Sequence, residues 1–215
     1  MRDRSPLRIV FLDFDGVILE SRDIKTWAFG KLFARPVSLQ RRVMEYHKRH
    51  MGLSRWIKFE YIYRHFVRQP LTLLEKKRLG REFSRHVFDR VRRCPPVRGI
   101  HSWLMKRRDR VRFFIVSGTP QSELRRLVRA RDLGGFFSGV YGSPRMKFQI
   151  IKSILDKSRC DPKQALFIGD AQEDYRAARA AGVSFLGRVP RAELSPFPSS
   201  VRTFVDFSDS QVVDL

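Results

Sequence analysis

Three short apolar runs, each stopped by a glycine beside an acidic or hydroxyl residue, restrict this chain more than any other feature. Arg8 to Phe14 reads RIVFLDF and ends at Asp15-Gly16, Val111 to Val116 ends at Ser117-Gly118, and Ala165 to Ile168 ends at Gly169-Asp170. Continuous apolar runs of this length, rich in β-branched and aromatic residues, predict strands buried on both faces. Helical segments lie between them: Pro120 to Arg131 behind Thr119 as N-cap, Pro144 to Leu155 behind Ser143, and Glu173 to Ala181 stopped by Gly182. Strands that alternate with helices pair in parallel, with helices on both faces of the sheet. Gly139 to Tyr141, Ser184 to Leu186 and Thr203 to Phe207 are shorter strand candidates, and the proline- and serine-containing tail after Gly187 predicts a loop into a last edge strand.

The interval from Glu20 to Arg93 breaks this alternation. Trp27, Phe29, Leu32 and Phe33 fall at helical spacing, as do Trp56, Phe59, Ile62, Tyr63 and Phe66, while Pro70-Leu71-Thr72 precedes a further helix over Leu73 to Val91. The aromatic residues read as a helical core before they read as a stacking platform for bases. The expected organisation is an α/β core over residues 1–19 and 95–215, with a helical domain over 20–94 inserted after the first strand. Cys94-Pro95-Pro96-Val97-Arg98-Gly99 is the expected return linker.

With 215 residues and 42% hydrophobic content the chain can bury one core with an appendage. No window reaches the roughly 18 apolar residues of a membrane span, and Met1 to Leu7 has no apolar secretory stretch, so a cytoplasmic protein is expected. Cys94 and Cys160 lack metal-binding spacing and read as inert thiols. The formal net charge of +22 would gather polyanions, and the stretch from Glu20 to Cys94 holds 20 Lys/Arg against 7 Asp/Glu. An arginine-leaning codon usage accounts for a surplus scattered through every segment equally well, and nucleic acid is not the expected partner. His47, His50, His65, His86 and His101 form no ligand set and read as surface or half-buried side chains.

Ligands of an open α/β sheet bind beyond the carboxyl ends of its strands. Asp13 and Asp15, Ser117, and Asp170 with Asp174 occupy those positions, so several carboxylates converge on one rim. Such a cluster repels itself and raises its own pKa values unless a cation compensates it, and hard oxygen ligands favour magnesium.

This constellation resembles the haloacid dehalogenase superfamily from Arg8 to Arg188. The family's first motif, a strand followed by DxDG, stands here as Phe11-Leu12-Asp13-Phe14-Asp15-Gly16-Val17; its second as Ile115-Val116-Ser117-Gly118-Thr119; its fourth, GDxxxD, as Gly169-Asp170-Ala171-Gln172-Glu173-Asp174. The basic third motif falls in Tyr141-Gly142-Ser143-Pro144-Arg145-Met146-Lys147, where Lys147 is preferred to Arg145. Taken singly, DxDG and Ser-Gly-Thr-Pro also suit a capped turn and a helix start. Their order along one chain carries the resemblance.

The resemblance implies a Rossmann-like sheet with a helical cap that closes over the site. It also implies Asp13 as nucleophile, Asp15 as acid and base, and Lys147 as the group that neutralises nucleophile and phosphate. Ser117 and Gly118 would hold the transferring phosphoryl group, and magnesium would be held by Asp13, Asp170 and the Asp15 carbonyl with support from Asp174. The family's dehalogenases lack the second aspartate of the first motif, so Asp15 favours phosphorus chemistry. A glycine-led turn, Gly52-Leu53-Ser54-Arg55-Trp56-Ile57-Lys58, is where such caps place specificity residues, which makes Arg55 and Lys58 candidates to grip the leaving group; a solvated basic helix face is the competing reading. The expected activity is hydrolysis of a small phosphomonoester, a sugar phosphate first. Phosphomutation with the same residues, and a nucleic-acid- or partner-binding role for the scaffold, are the alternatives, and oligomeric state stays open.

Overall fold

The computed structural model describes residues 6–191 and 193–213. Met1 to Ser5, which the sequence assigns to the core, lie outside the described residues. Six parallel strands form one sheet in the order β3-β2-β1-β4-β5-β6, with β1 Ile9–Leu12, β2 Arg112–Pro120, β3 Gly139–Ser143, β4 Ala165–Gly169, β5 Ser184–Arg188 and β6 Thr203–Phe204. β1 is central and wholly buried, its Ile9 opposite Arg112 and Ala165 and its Leu12 opposite Ile115 and Ile168. The expected edge strand is β6, which pairs only through Gly187 with Thr203 and Arg188 with Phe204.

Alternation along β1 divides the core. Ile9 and Phe11 pack with Ile150, Ile151 and Ile154 of α7 (Lys147–Ser158) and with Ala177, Ala178 and Ala181 of α8 (Gln172–Ala181). Val10 and Leu12 join Trp103 and Leu104 of α5 (Ile100–Met105) and Leu124 and Leu127 of α6 (Gln121–Ala130) on the other face. α9 (Ser210–Val213) is tied to α5 by the Trp103 indole, which donates to the Val212 carbonyl at 2.7 Å.

Between β1 and α5 the chain builds α1 (Arg22–Leu32), α2 (Val37–Arg49), α3 (Arg55–Ile62) and α4 (Leu73–Arg93), and contributes no strand to the sheet. Phe29, Phe59 and Phe83 unite three of these helices, with ring centroids 4.8 to 6.2 Å apart. The Thr72 hydroxyl caps α4 by accepting from the Glu75 N–H. The outgoing and returning chains run side by side, with the Glu20 N–H donating to the Pro95 carbonyl and the Val97 N–H to the Ile18 carbonyl, both at 3.0 Å.

Two helix starts differ from expectation. β2 continues through Thr119 to Pro120, pairing Pro120 with Ser143 after a shift of register, so α6 begins at Gln121 and Thr119 is not its cap. α7 begins at Lys147 instead of Pro144, because β3 runs to Ser143 and the Gln149 side chain accepts from the Met146 N–H at 3.3 Å.

Gly80, inside α4, lets Trp56 of α3 lie on the helix: a Cβ there would sit 2.2 Å from the Trp56 Cη2. Helix propensity alone makes Gly→Ala stabilising by about 1 kcal/mol in a helix interior. Overpacking against a rigid ring costs about 1–3 kcal/mol and prevails. Gly80→Ala is expected to lower the midpoint of chemical denaturation, and a raised midpoint would refute this packing account.

Candidate active site

Asp13 stands one residue beyond β1, and its N–H donates to the Ile168 carbonyl of β4 at 3.0 Å. The matched ends of the two strands thereby place Asp13 beside Asp170. Asp13, Asp170 and Asp174 are buried, and each offers a carboxylate oxygen within 4.8 Å of the others. Asp174 is held by its own helix: its Oδ2 accepts from the N–H groups of Asp170 at 3.3 Å and Ala171 at 3.1 Å, capping the start of α8 where the dipole favours an anion. Gly16, at φ +78°, passes over this cluster, and a Cβ there would lie 2.2 Å from the Asp170 Oδ2.

Lys147 binds the cluster together. Its ammonium donates to the Asp174 Oδ1 at 2.5 Å and to the Asp13 Oδ1 at 3.0 Å. As the first residue of α7 it opposes the helix dipole, a penalty of about 0.3–1 kcal/mol that two buried carboxylates exceed. Burial would lower the Lys147 pKa, but Asp13 and Asp174 overcome it and push the value up. Burial, only partly offset by Lys147, raises the Asp13 carboxyl to about 7. Asp170 is also held well above the carboxylate range, by burial first, against the opposing guanidinium of Arg22. Three clustered carboxylates with hard oxygen atoms are a donor set that suits magnesium.

The Asp15 carboxylate faces different partners. Its Oδ1 accepts from the Ser21 hydroxyl at 2.6 Å, and its Oδ2 accepts from the Thr119 hydroxyl at 3.0 Å and from the Lys25 ammonium. Burial alone would raise its pKa; Lys25, with the Ser21 and Thr119 hydrogen bonds, reverses the shift and holds the group below the usual range. Ser117 is buried and accepts from the Thr119 N–H at 3.2 Å, which leaves its own hydroxyl proton to donate elsewhere. Gly118 faces the Gly52 carbonyl of the turn before α3.

Asp13, Asp15, Ser117, Gly118, Asp170 and Lys58 line one cavity of about 50 Å³, and Lys147 links Asp13 to Asp174 beside it. Arg55 is not among the lining residues. Its guanidinium donates to both oxygens of Glu123 on α6, at 2.6 and 3.0 Å, and to the Ser84 hydroxyl at 2.8 Å, and lies 4.3 Å over the Phe83 ring. The structure does not bring Arg55, expected to grip the leaving group, to the other site residues, and its guanidinium lies in a buried ion pair between α3 and α6.

The sequence did not single out Ser21, Arg22, Lys25, His47 or Thr119. Arg22 places its Nε 2.8 Å from the Asp170 Oδ2 and its Nη1 2.7 Å from the Glu193 Oε2. Arg22 and Lys25 are three apart in α1, directly after the first motif, so they share a helix face at the rim. That spacing was the available signal, hidden among 44 Lys/Arg. Thr119 reads in the sequence as a helix cap, and His47, which is buried and also lines the cavity, as a surface or half-buried side chain.

The four motifs converge in space as they do in order. The chain matches the haloacid dehalogenase-like hydrolases over residues 9–188 and belongs to that family. A phosphoglycolate phosphatase of Pseudomonas putida is 30% identical over 98 residues, which are 43% of this chain and 35% of that protein; the shared stretch thus spans about a third of the relative. Among solved structures, a predicted phosphoglycolate phosphatase from Haemophilus somnus 129pt superposes with a TM-score of 0.73 at 17% identity, covering 98% of this chain and 99% of that one. A mutant of CbbY from Rhodobacter sphaeroides, in complex with xylulose-(1,5)bisphosphate, gives 0.74 at 16% identity over 94% and 96% of the two chains. Those likenesses establish a shared fold.

Two outcomes follow from these ion pairs. Folded Asp13 binds its proton with a pKa of about 7 against 3.8 for the free side chain, so its contribution to stability is full below about pH 4 and is lost as pH rises through 7. The melting temperature of metal-free protein is expected to fall across that window, and millimolar magnesium should raise it more at pH 8 than at pH 5; a shift equal at both pH values would exclude a cation at these carboxylates. Arg55→Ala leaves Glu123 buried and unpaired, so denaturant unfolding should show a loss of about 3–5 kcal/mol, most of it recovered in an Arg55→Met/Glu123→Leu double variant.

Proposed function

We propose that this protein is a magnesium-dependent phosphatase that hydrolyses a small phosphomonoester through an aspartyl-phosphate on Asp13. The observation that carries the proposal is the position of Asp13, buried at the end of β1, with Oδ1 held by Lys147 and Oδ2 free of any partner among the described residues. One oxygen is thus oriented and the other is available for in-line attack on phosphorus. The phosphatase name of the Pseudomonas relative and the sugar bisphosphate held by the CbbY mutant support a small phosphorylated substrate. A sugar phosphate remains the first candidate.

In this reading Lys147 offsets charge on the attacking carboxylate and on the phosphoryl oxygens, and the Ser117 hydroxyl and Gly118 N–H donate to those oxygens. Magnesium, held by Asp13, Asp170 and the Asp15 carbonyl with Asp174 in support, would supply further charge neutralisation at phosphorus. The hydrogen bonds to the Asp15 carboxylate leave its backbone carbonyl as the atom suited to that ion. Asp15 then protonates the leaving oxygen and later takes a proton from water. A carboxyl held ionised is a poor acid, so the first of these steps requires the Lys25 contact to loosen or its proton to pass across it. Residues 20–94 act as the cap, hinged near 17–21 and 95–99, where the two chain crossings run side by side. Closure excludes bulk water from the acyl phosphate.

Asp13→Asn keeps the shape of the side chain and removes the nucleophile. It should reduce magnesium-dependent hydrolysis of p-nitrophenyl phosphate by roughly a thousandfold or more, with an unchanged far-ultraviolet spectrum and a melting temperature at neutral pH no lower than that of the parent protein. Turnover within a fewfold of the parent protein would eliminate the covalent mechanism.

A further inference from the structure

Two buried groups of the cavity take no part in the phosphoryl-transfer steps: His47, and Lys58, which the resemblance offers as a residue that grips the leaving group. Lys58 on α3 and His47 on α2 line the same space as Asp13, Asp15 and Asp170, with only 2% and 3% of their surfaces exposed. The Lys58 Nζ lies 2.9 Å from the His47 Nδ1, and no carboxylate among the described residues pairs with it. The His47 Nε2 is buried with no partner among the described residues. Phe29 packs on both, its ring centroid 4.6 Å from that of His47 and 5.4 Å from the Lys58 Nζ.

The hydrogen-bond chemistry of this pair is one-sided. An ammonium at Lys58 donates to Nδ1, which obliges His47 to carry its proton on Nε2. Two further ammonium protons and one imidazole N–H then seek acceptors, and the pair offers none in return. Leaving a buried donor unmet costs about 1–3 kcal/mol, and burying a charge without a partner costs more. Burial first, then Lys25 and Lys147, drive the Lys58 pKa down, the response of a cation that lacks its counter-ion. Packing alone would be better served by methionine and phenylalanine at these two positions.

We propose that Lys58 and His47 form an anion subsite in the helical segment, which receives a second negatively charged group, a carboxylate or a further phosphate, carried by the leaving group of the substrate. This inference rests on the phosphatase reading and sharpens it: a neutral sugar or alcohol beyond the phosphoryl group leaves the pair unsatisfied, whereas an anionic oxygen meets both donors. Because the pair shares one small cavity with Asp13, the second anion lies only a short bridge away from phosphorus.

The test compares matched esters that differ in that charge. 2-Phosphoglycolate is set against 2-hydroxyethyl phosphate for the carboxylate, and ribulose 1,5-bisphosphate against ribulose 5-phosphate for the phosphate. The parent protein is expected to favour the charged member of at least one pair by about tenfold or more in kcat/KM, and the pair that responds identifies the anion. Lys58→Met should erase that preference while holding or raising the melting temperature, since it removes an unpaired buried charge; a purely structural lysine would instead lower it. Lys58→Gln, which keeps a polar head, serves if the methionine variant fails to fold. No preference in the parent protein, or one that survives both variants, overturns the subsite even where p-nitrophenyl phosphate is hydrolysed in an Asp13-dependent manner and the phosphatase reading stands. Should no ester be turned over, that reading fails by itself, and calorimetric titration of 2-phosphoglycolate and ribulose 1,5-bisphosphate decides the subsite: tenfold weaker binding of either in Lys58→Met upholds it, equal binding of both removes it.

Discussion

Lys147 joined to Asp13 and Asp174 is the contact on which the arrangement of the site depends. It connects the end of β1 to the starts of α7 and α8, three places that are 134 and 27 residues apart along the chain. Each partner is also fixed by its own element: Asp13 by the backbone bond to β4, Asp174 by the start of α8, Lys147 by its position at the head of α7. Only Asp174 gains on local grounds, from the N–H groups at the start of α8, whereas burial penalises the charges of Asp13 and Lys147. The sheet order resolves the conflict, because placing β1 between β2 and β4 brings both motif-bearing strand ends to one rim and lets a single ammonium answer two carboxylates.

The helical segment completes the electrostatics from the other side. Arg22 and Lys25 of α1 reach Asp170 and Asp15, so two of the site's carboxylates are balanced by cations that the core does not own. Arg55 of α3 and Glu123 of α6 form a further bridge between helical segment and core. A buried pair of this kind roughly breaks even against solvation of its separated charges, while its bidentate geometry is specific. It can therefore fix where α3 sits against α6 while adding little net stability. Asp15 feels this coupling most, because its charge state depends on Lys25 remaining in place.

Much of this was legible in the sequence for a definable reason. The strands that build the centre of the sheet are buried on both faces, so their apolar runs are continuous, and the residues that follow them are placed by the sheet itself. Asp13, Ser117, Asp170 and Asp174 could be read in that way. Residues of the helical segment could not, since which side of a helix meets the core depends on how the segment folds back, and nothing in a stretch this basic distinguishes a working cation from a solvated one. Arg55 and Lys58 illustrate the difficulty. Three residues apart on α3, one turns to α6 and Glu123 and the other into the cavity beside His47. Thr119 was misread because its Pro120 resembles the first residue of a helix, whereas the strand continues through it and frees the hydroxyl for Asp15.

The overall charge acts on a different scale from these contacts. At physiological ionic strength the field of exposed Lys and Arg is screened within about 8 Å, so the +22 surplus can hasten the arrival of an anion without deciding how it is held. The buried cations are only weakly screened and are individually placed. Lys147 and Lys25 already have carboxylates, and Arg22 is shared between Asp170 and Glu193. Lys58 stands apart, buried without an acid among the described residues. A composition that any basic protein could have thus contains one buried lysine with no acid beside it among the described residues, and that lysine lines the same cavity as Asp13.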